Sequence, residues 1–204
     1  MTRSFDTIRS LKCAAWALTV CTCLGAHPAA GAATRQTDVG VRALGMGGAF
    51  SAVGSDASTI RWNPAAIATL QRQEVLGGYT DRYGLGLNES YLGYVLPITD
   101  AHAVGLDWFH RGFDDVSGGL GLNSGHNLMS LAYGYRNNIA ALKPYIGNTA
   151  IGGTLKFVTQ DADLDGRSVM SASGLGFDIG LLAPLPHGLR LGIAVQDLGG
   201  TSVE

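Results

Sequence analysis

The chain has few charged residues and, beyond its first 33 residues, no cysteine. Charged residues make up 15% of the 204-residue sequence, whereas a soluble domain has about a quarter. The formal net charge of −2 provides no basic surface for nucleic acid, and a hydrophobic content of 46% is too high for a disordered acidic tail. Part of the folded surface is therefore expected to face something other than water.

Residues 1–33 have the pattern of a secretory signal peptide. A positive start, an apolar run and a small-residue cleavage pattern follow one another: Arg3, Arg9 and Lys12, then CAAWALTVCTCL at 13–24, then Ala30-Gly31-Ala32. The run is too short for a spanning helix. All three cysteines lie inside it, so the exported chain needs no disulfide. A retained anchor or a lipoprotein signal is the alternative, although Val20 and Thr22 are not the small residues favoured before a lipidated cysteine.

Beyond residue 33 no run of about 18 apolar residues occurs, which excludes further spanning helices. Several segments instead alternate, as a strand does. In NLMSLAYGY (127–135) the residues Met129, Leu131 and Tyr133 fall on one face, and the other face carries serine, alanine and glycine. The segments AIGGTLKFVTQ, SGLGFDIGLL and GLRLGIAVQD repeat this pattern. One face is thus apolar, and the opposite face is small or polar.

The alternation predicts seven strands, at 73–82, 87–97, 102–112, 127–137, 149–160, 172–183 and 188–198. About 11 residues at roughly 3.3 Å each, tilted by about 45°, cover some 25 Å, which is the height of the apolar band of a transmembrane β-barrel. We predict outer loops at 113–126 and 161–171 and tight inner turns at 98–101 and 184–188. Interfacial aromatic girdles would be supplied by Tyr79, Tyr91, Tyr94, Trp108, Phe109 and Tyr145.

A soluble β-sandwich is the alternative, because it also alternates apolar and polar positions. In a sandwich the apolar face is inside and the charged face is outside. Here the non-apolar face carries mostly glycine, alanine and serine, which suits a crowded barrel lumen better. Its few charges are Asp107, Lys156, Asp178 and Arg190. A charge facing lipid at mid-depth costs about 2–4 kcal/mol, so we expect these side chains to line the lumen and to pair there.

Residues 40–71, GVRALGMGGAFSAVGSDASTIRWNPAAIATLQ, combine a glycine cluster with a proline turn. Nucleotide-binding motifs do not fit, because Met46 stands where a phosphate loop needs lysine and Phe50 replaces the third glycine of a dinucleotide fingerprint. The glycines allow close backbone approach or positive φ. Pro64 keeps Asn63 out of the helical region and can begin a short helix. Residues 34–71 are therefore predicted to form a narrow plug, or hatch, inside the barrel.

The stretch GVRALGMGGAFSAVGSDASTIRWNPAAIATL (40–70) resembles the N-terminal segment of outer-membrane transport proteins related to the long-chain fatty acid transporter FadL. It is closer to their PorV-like relatives, which share the pattern GxRAxGMGGAFxAxxxDAxAxxWNPAGLA. Ala66 and Ile67 stand where family members often have Gly-Leu. The resemblance implies an all-β, fourteen-stranded transmembrane antiparallel barrel with an N-terminal hatch. The residues that match the hatch motif or its glycine cluster are Gly45, Gly47, Gly48, Trp62, Asn63, Pro64 and Ala65.

The resemblance also implies a function at the cell outer membrane, in contact with its lipid. In the transporter branch, hydrophobic small molecules bind in the lumen and leave through a lateral opening in the wall. In the PorV-like branch, the barrel receives secreted cargo proteins. The hatch motif is common to both branches and does not separate them. Because only about seven strands fit into residues 72–204 and no terminal aromatic residue is present, we expect this chain to be part of a larger barrel.

The segment DADLDGRSVMSA (161–172) begins like a calcium-binding loop, with Asp161, Asp163 and Asp165 in register. Ala172 replaces the bidentate glutamate, so a solvated acidic loop is the alternative interpretation. The histidines at 102, 110, 126 and 187 share no metal-ligand spacing, and no G-x-S-x-G elbow is present. The sequence therefore predicts no cofactor, no metal site beyond this weak candidate and no enzymatic activity.

Overall fold

A computed structural model describes residues 39–82, 84, 86–114, 121–137, 147–164 and 167–198. The predicted signal peptide (1–33), the start of the predicted hatch (34–38), Tyr145 and Asp165 lie outside these residues. The described residues form short helical segments followed by one antiparallel sheet that curves as a half-barrel. Among them, no helix has the length and apolar character needed to cross a membrane.

The seven strands lie in the sheet in chain order, each antiparallel to the next. They are β1 (Glu74–Arg82), β2 (Leu87–Pro97), β3 (His102–Asp114), β4 (Leu122–Arg136), β5 (Ala150–Leu164), β6 (Arg167–Pro184) and β7 (Arg190–Val195). Ahead of the sheet lie α1 (Val41–Gly45), α2 (Thr59–Trp62) and a 3-10 helix, Pro64–Thr69. A second 3-10 helix, Pro186–Gly188, connects β6 to β7. The all-β prediction is confirmed, and the number of strands in a closed barrel stays a prediction.

The predicted loops at 113–126 and 161–171 are too long, because strand residues occupy part of the first (113–114 and 122–126) and most of the second (161–164 and 167–171). Pairing between β3 and β4 extends to Asp114 opposite Asn123, and pairing between β5 and β6 extends to Leu164 opposite Arg167. A register shift between Ala162 and Asp163 lies within this extension. Strand pairing is a property of the backbone, whereas the sequence pattern reports only which side chains are apolar. The alternation pattern therefore did not indicate that the polar ends of these strands are paired.

The apolar face of the sheet is exposed and the small, polar face is buried. Leu106, Met129 and Leu131 are 54%, 58% and 53% exposed. Asp107 and Ser130, which alternate with them along β3 and β4, are 6% and 4% exposed. A water-soluble sandwich has the opposite polarity, with its apolar face buried and its polar face exposed.

Two of the predicted girdle aromatics point the other way. Tyr91 and Phe109 are buried on the inner face, and the Tyr91 hydroxyl donates to the carbonyl of Ala57 (3.1 Å). Both belong to a row of apolar residues on the inner face, which is otherwise polar. The alternation of apolar and polar residues in the sequence does not show that these apolar residues face inward. On the outer face the structure adds a pair that the sequence analysis did not assign to a girdle, since the His102 Nδ1 lies 2.6 Å from the Tyr133 hydroxyl.

Candidate functional site

The described part of the hatch, residues 39–70, lies on the inner face of the half-barrel. Its 3-10 helix packs against β3, β4, β5 and β6. The residues from Ala57 to Ala68 are buried except Trp62, which is half-buried. We call residues 57–69 the hatch core. It fills the space beside the central strands and covers the inner polar face.

A row of glycines in the wall gives the hatch core room for close approach. A Cβ atom at Gly152 would lie 2.5 Å from the carbonyl carbon of Pro64 and 2.6 Å from the nitrogen of Ala65. Such distances exclude a side chain, because the neighbouring atoms are backbone and cannot rotate away. Five successive strands contribute one glycine each whose Cβ position lies within 3 Å of a hatch atom, from backbone or side chain, and together they form the glycine row: Gly105, Gly134, Gly152, Gly180 and Gly192, the last beside Ser51 ahead of the hatch core.

Asn63 fastens the turn between α2 and the 3-10 helix. Its backbone is extended (φ −162°, ψ 103°), as expected before proline. Its side-chain amide donates to the carbonyls of Ser51 (2.7 Å) and Leu181 (3.0 Å), and its side-chain oxygen accepts from the Ala65 N–H (3.1 Å). One fully buried side chain therefore binds the early hatch, the start of the 3-10 helix and strand β6.

We expect Asn63→Asp to destabilise the folded chain, because it keeps the shape and removes both donors. The carbonyls of Ser51 and Leu181 lose their donor and a carboxylate replaces a fully buried amide; leaving buried groups unsatisfied costs about 1–3 kcal/mol, more where a charge is buried. The measurement is the urea midpoint of unfolding in detergent. Asn148→Asp is the matched control, since Asn148 is exposed. Equal midpoints for the two variants would contradict the role given to Asn63.

A buried ion pair joins the hatch core to β3. Arg61 Nε lies 2.8 Å from Asp107 Oδ2, and Arg61 Nη2 lies 2.8 Å from Asp107 Oδ1, so the pair is bidentate. Both side chains are at most 3% exposed. Arg61 Nη2 also donates to the carbonyl of Leu128 (3.3 Å). The sequence predicted that Asp107 lines the lumen and pairs there, and it missed that the partner comes from the hatch.

A second buried charge cluster lies between β5, β6 and the residues after β7. Lys156 Nζ lies 2.7 Å from Asp178 Oδ1 and 2.5 Å from Asp197 Oδ1. The backbone N–H of Asp197 donates to Asp178 (2.8 Å). Arg190, the fourth predicted lumen charge, is exposed at the start of β7 and donates to the carbonyl of Val53 (3.3 Å). The predicted pairing is thus confirmed for Lys156 with Asp178.

The glycine cluster and Trp62 order the early hatch. Gly47 and Gly48 have φ angles of 64° and 80°, so they end α1 in the left-handed region. Gly45 lies in α1 and has open space around its Cβ position, so neither a positive φ nor close backbone approach requires glycine there. The Trp62 indole donates to the carbonyl of Val39 (2.9 Å) and meets the Phe50 ring edge to face. Of the predicted motif, Trp62, Asn63, Pro64 and Ala65 make the contacts to the wall or across the hatch.

A pocket of about 90 Å³ lies between the early hatch and strands β1 to β3. Its lining includes Val39 and Leu44 from the hatch and Leu76, Tyr91 and Phe109 from the wall. On β1 the pocket is bordered by Gly77 and Gly78. The lining is therefore mainly apolar, with small residues on one side.

Charged side chains lie beside this pocket. Glu89, which lines it, accepts from Arg82 Nε (2.9 Å) and Arg111 Nε (2.7 Å). The Arg111 and Arg61 guanidinium groups lie 5.4 and 5.5 Å from the Phe109 ring centre, within cation–π range. Glu89 and Arg111 are brought together by the register of β2 and β3, which no local sequence pattern indicates. The pocket can accept an apolar group.

Asp161 and Asp163, two members of the weak calcium candidate, lie on β5 rather than in a loop. Asp165 lies outside the described residues, so the three carboxylates are not placed as a set. Asp161 accepts a long hydrogen bond from the Ser171 hydroxyl (3.4 Å) across the β5–β6 pair. The calcium site stays a prediction without structural support.

Comparisons with protein-family profiles, with curated proteins and with solved structures find no match to this chain.

Proposed function

We propose that the chain is an outer-membrane β-barrel protein of the FadL/PorV-like group that mediates passage of hydrophobic compounds across the outer membrane. The main support for the proposal is the distribution of apolar and polar side chains between the two faces of the sheet. Large apolar side chains are exposed on its outer face, while ion pairs and glycines are buried on its inner face. A wall that faces lipid has this arrangement, and a water-soluble sheet does not.

The pocket beside the hatch supports passage of small apolar compounds over the cargo-binding alternative. It lies between the hatch and the wall and is bordered mainly by apolar side chains. A hydrophobic molecule that follows the inner face would meet Leu76, Tyr91 and Phe109 there. Among the described residues, we identify no surface feature that favours the docking of a secreted protein in the way that this pocket favours a small apolar compound.

Filling this pocket tests the proposal. Gly78 lines it, and no heavy atom lies within 4 Å of the position that a Cβ would occupy. We expect Gly78→Phe to lower uptake of the hydrophobic dye N-phenylnaphthylamine by cells that carry the protein. The expected decrease is about tenfold, because the phenyl ring would block the path of the dye through this pocket. Gly125→Phe is the control, since Gly125 on β4 also has open space but lies outside the pocket. Equal dye uptake by both variants would contradict passage through this pocket.

The proposal also predicts the effect of a charge on the outer face. Leu131 is 53% exposed near the middle of β4, so Leu131→Lys would place an ammonium group in lipid at a cost of about 2–4 kcal/mol. We expect less folded protein in phospholipid vesicles, measured as the band whose gel mobility changes on boiling. Ser171→Lys, at an exposed polar position of β6, is the control. In a protein whose outer face meets water, Leu131→Lys would be harmless.

A further inference from the structure

The apolar clusters of the inner face all contain hatch residues. Their hatch members are aliphatic, and their wall members come from β2 to β6. The first joins Ala57, Ile60 and Ile67 to Val95, Ala103 and Ala132; the second joins Val39 to Tyr91, Phe109, Leu128 and Val158; the third joins Ala65, Ala66 and Ala68 to Ala150 and Leu182. Two of the three clusters thus depend on the hatch core.

Without the hatch core, much of the inner wall would lose its apolar and backbone contacts. Successive inward positions of β5 include Gly152, Thr154 and Lys156, which offer one another little apolar surface. Of the larger apolar residues of this strand, Ile151, Leu155 and Phe157 point outward, and Val158 belongs to the second inner cluster. In the first and third clusters, burial of apolar area on the inner side, the main drive for compact structure, therefore requires the hatch core to be present.

The polar contacts of the hatch core span most of the described chain. Arg61 binds Asp107, 46 positions away, and Asn63 binds the carbonyl of Leu181, 118 positions away. Gln196, just beyond β7, donates to the carbonyl of Arg61 (2.6 Å) across 135 positions. One short segment thus holds strands from both halves of the sheet in place.

We propose that the hatch core, residues 57–69, is the folding core on which strands β3 to β7 assemble, and not a plug that enters a finished wall. The sheet acquires its inner contacts only as it forms around these residues, and the hatch core then stays in the folded protein. This goes beyond the proposed function, since it concerns how the wall is built and holds for any compound or partner.

Folding and unfolding rates of the full chain test the proposal. The urea-unfolded chain is diluted into phospholipid vesicles, and the band whose mobility changes on boiling is followed in time. We expect Asn63→Asp and Arg61→Met to slow formation of this band, about fivefold or more, because contacts made in the transition state change the folding rate. Gly125→Ala, on the wall and away from the hatch, is the control and leaves the rate unchanged. If the two hatch variants form the band at the normal rate and only unfold faster, the proposal is wrong.

Hydrogen exchange of the folded full chain gives a second test that does not depend on any variant folding. The amides of Asn63 and Ala66 donate to Thr59 and Asn63 carbonyls within the hatch core. We expect them to be protected as strongly as the amides of β3 to β6, since one cooperative unit opens together. The Leu44 amide in exposed α1 is the internal comparison. Rapid exchange of the hatch core beside a protected sheet would overturn the proposal, whether or not the protein takes up the dye.

Discussion

Gly152→Ala is expected to displace the hatch core and to lower the stability of the folded chain by about 3 kcal/mol or more, from a change of one methyl group. The added carbon would lie 2.5 Å from the backbone of Pro64, where no side-chain rotation can relieve the contact. Either the 3-10 helix moves away from β5 or the strand bends outward. Both responses also disturb the hydrogen bonds of Asn63 next to this turn.

The matched control for this substitution is Gly125→Ala. Gly125 lies on β4, has an ordinary strand conformation, and has no heavy atom within 4 Å of a Cβ position. Alanine there is expected to be neutral or slightly stabilising, because it lowers the entropy of the unfolded chain. The measurement is the urea midpoint in detergent, combined with protease cleavage within residues 39–70. Similar midpoints for the two variants would show that the glycine row does not seat the hatch.

Asp107→Asn is expected to cost about 3–5 kcal/mol, because it leaves the guanidinium of Arg61 buried without its counter-charge. The double variant Arg61→Met, Asp107→Leu removes both charges and is expected to recover most of that loss, since a well-packed apolar pair is often as stable as a buried ion pair. The urea midpoints of the two variants and the parent chain measure this. A double variant as unstable as Asp107→Asn would contradict the explanation.

A surface pair of the same chemistry serves as the control. Arg72 Nε lies 3.8 Å from Glu74 Oε1, and the Arg72 side chain is 86% exposed. Removing that pair with Glu74→Gln is expected to change stability by less than about 1 kcal/mol, because solvent screens exposed charges. The contrast between the two pairs separates an effect of burial from a general effect of charge.

The strands could be predicted from the sequence wherever the two faces differ in chemistry. The bounds of β2, 87–97, were predicted correctly. The sequence did not indicate how far β3 and β5 extend, to Asp114 and Leu164, because polar residues are frequent near these strand ends. The inward direction of Tyr91 and Phe109 was missed as well, because an apolar residue above the hatch resembles one that faces outward.

The contacts of the hatch could be predicted only in part. The extended backbone of Asn63 and the helical start at Pro64 follow from local proline geometry and were expected. The glycine row depends on register, which places Gly134 beside Gly152 and Gly152 beside Gly180. Arg61 and Asp107 are 46 positions apart, and no local pattern connects them. Long-range pairing determines such contacts, and a single sequence carries no direct record of it.

The most direct test of the account is cell fractionation of the full chain, with unboiled and boiled samples compared on a gel. The central claim is that the exposed apolar face of the sheet meets lipid in the outer membrane. The account predicts that the protein is found in the outer-membrane fraction and that its mobility changes on boiling, since folded membrane barrels resist the detergent until heated. A protein found in the soluble periplasmic fraction, with the same mobility before and after boiling, would contradict it.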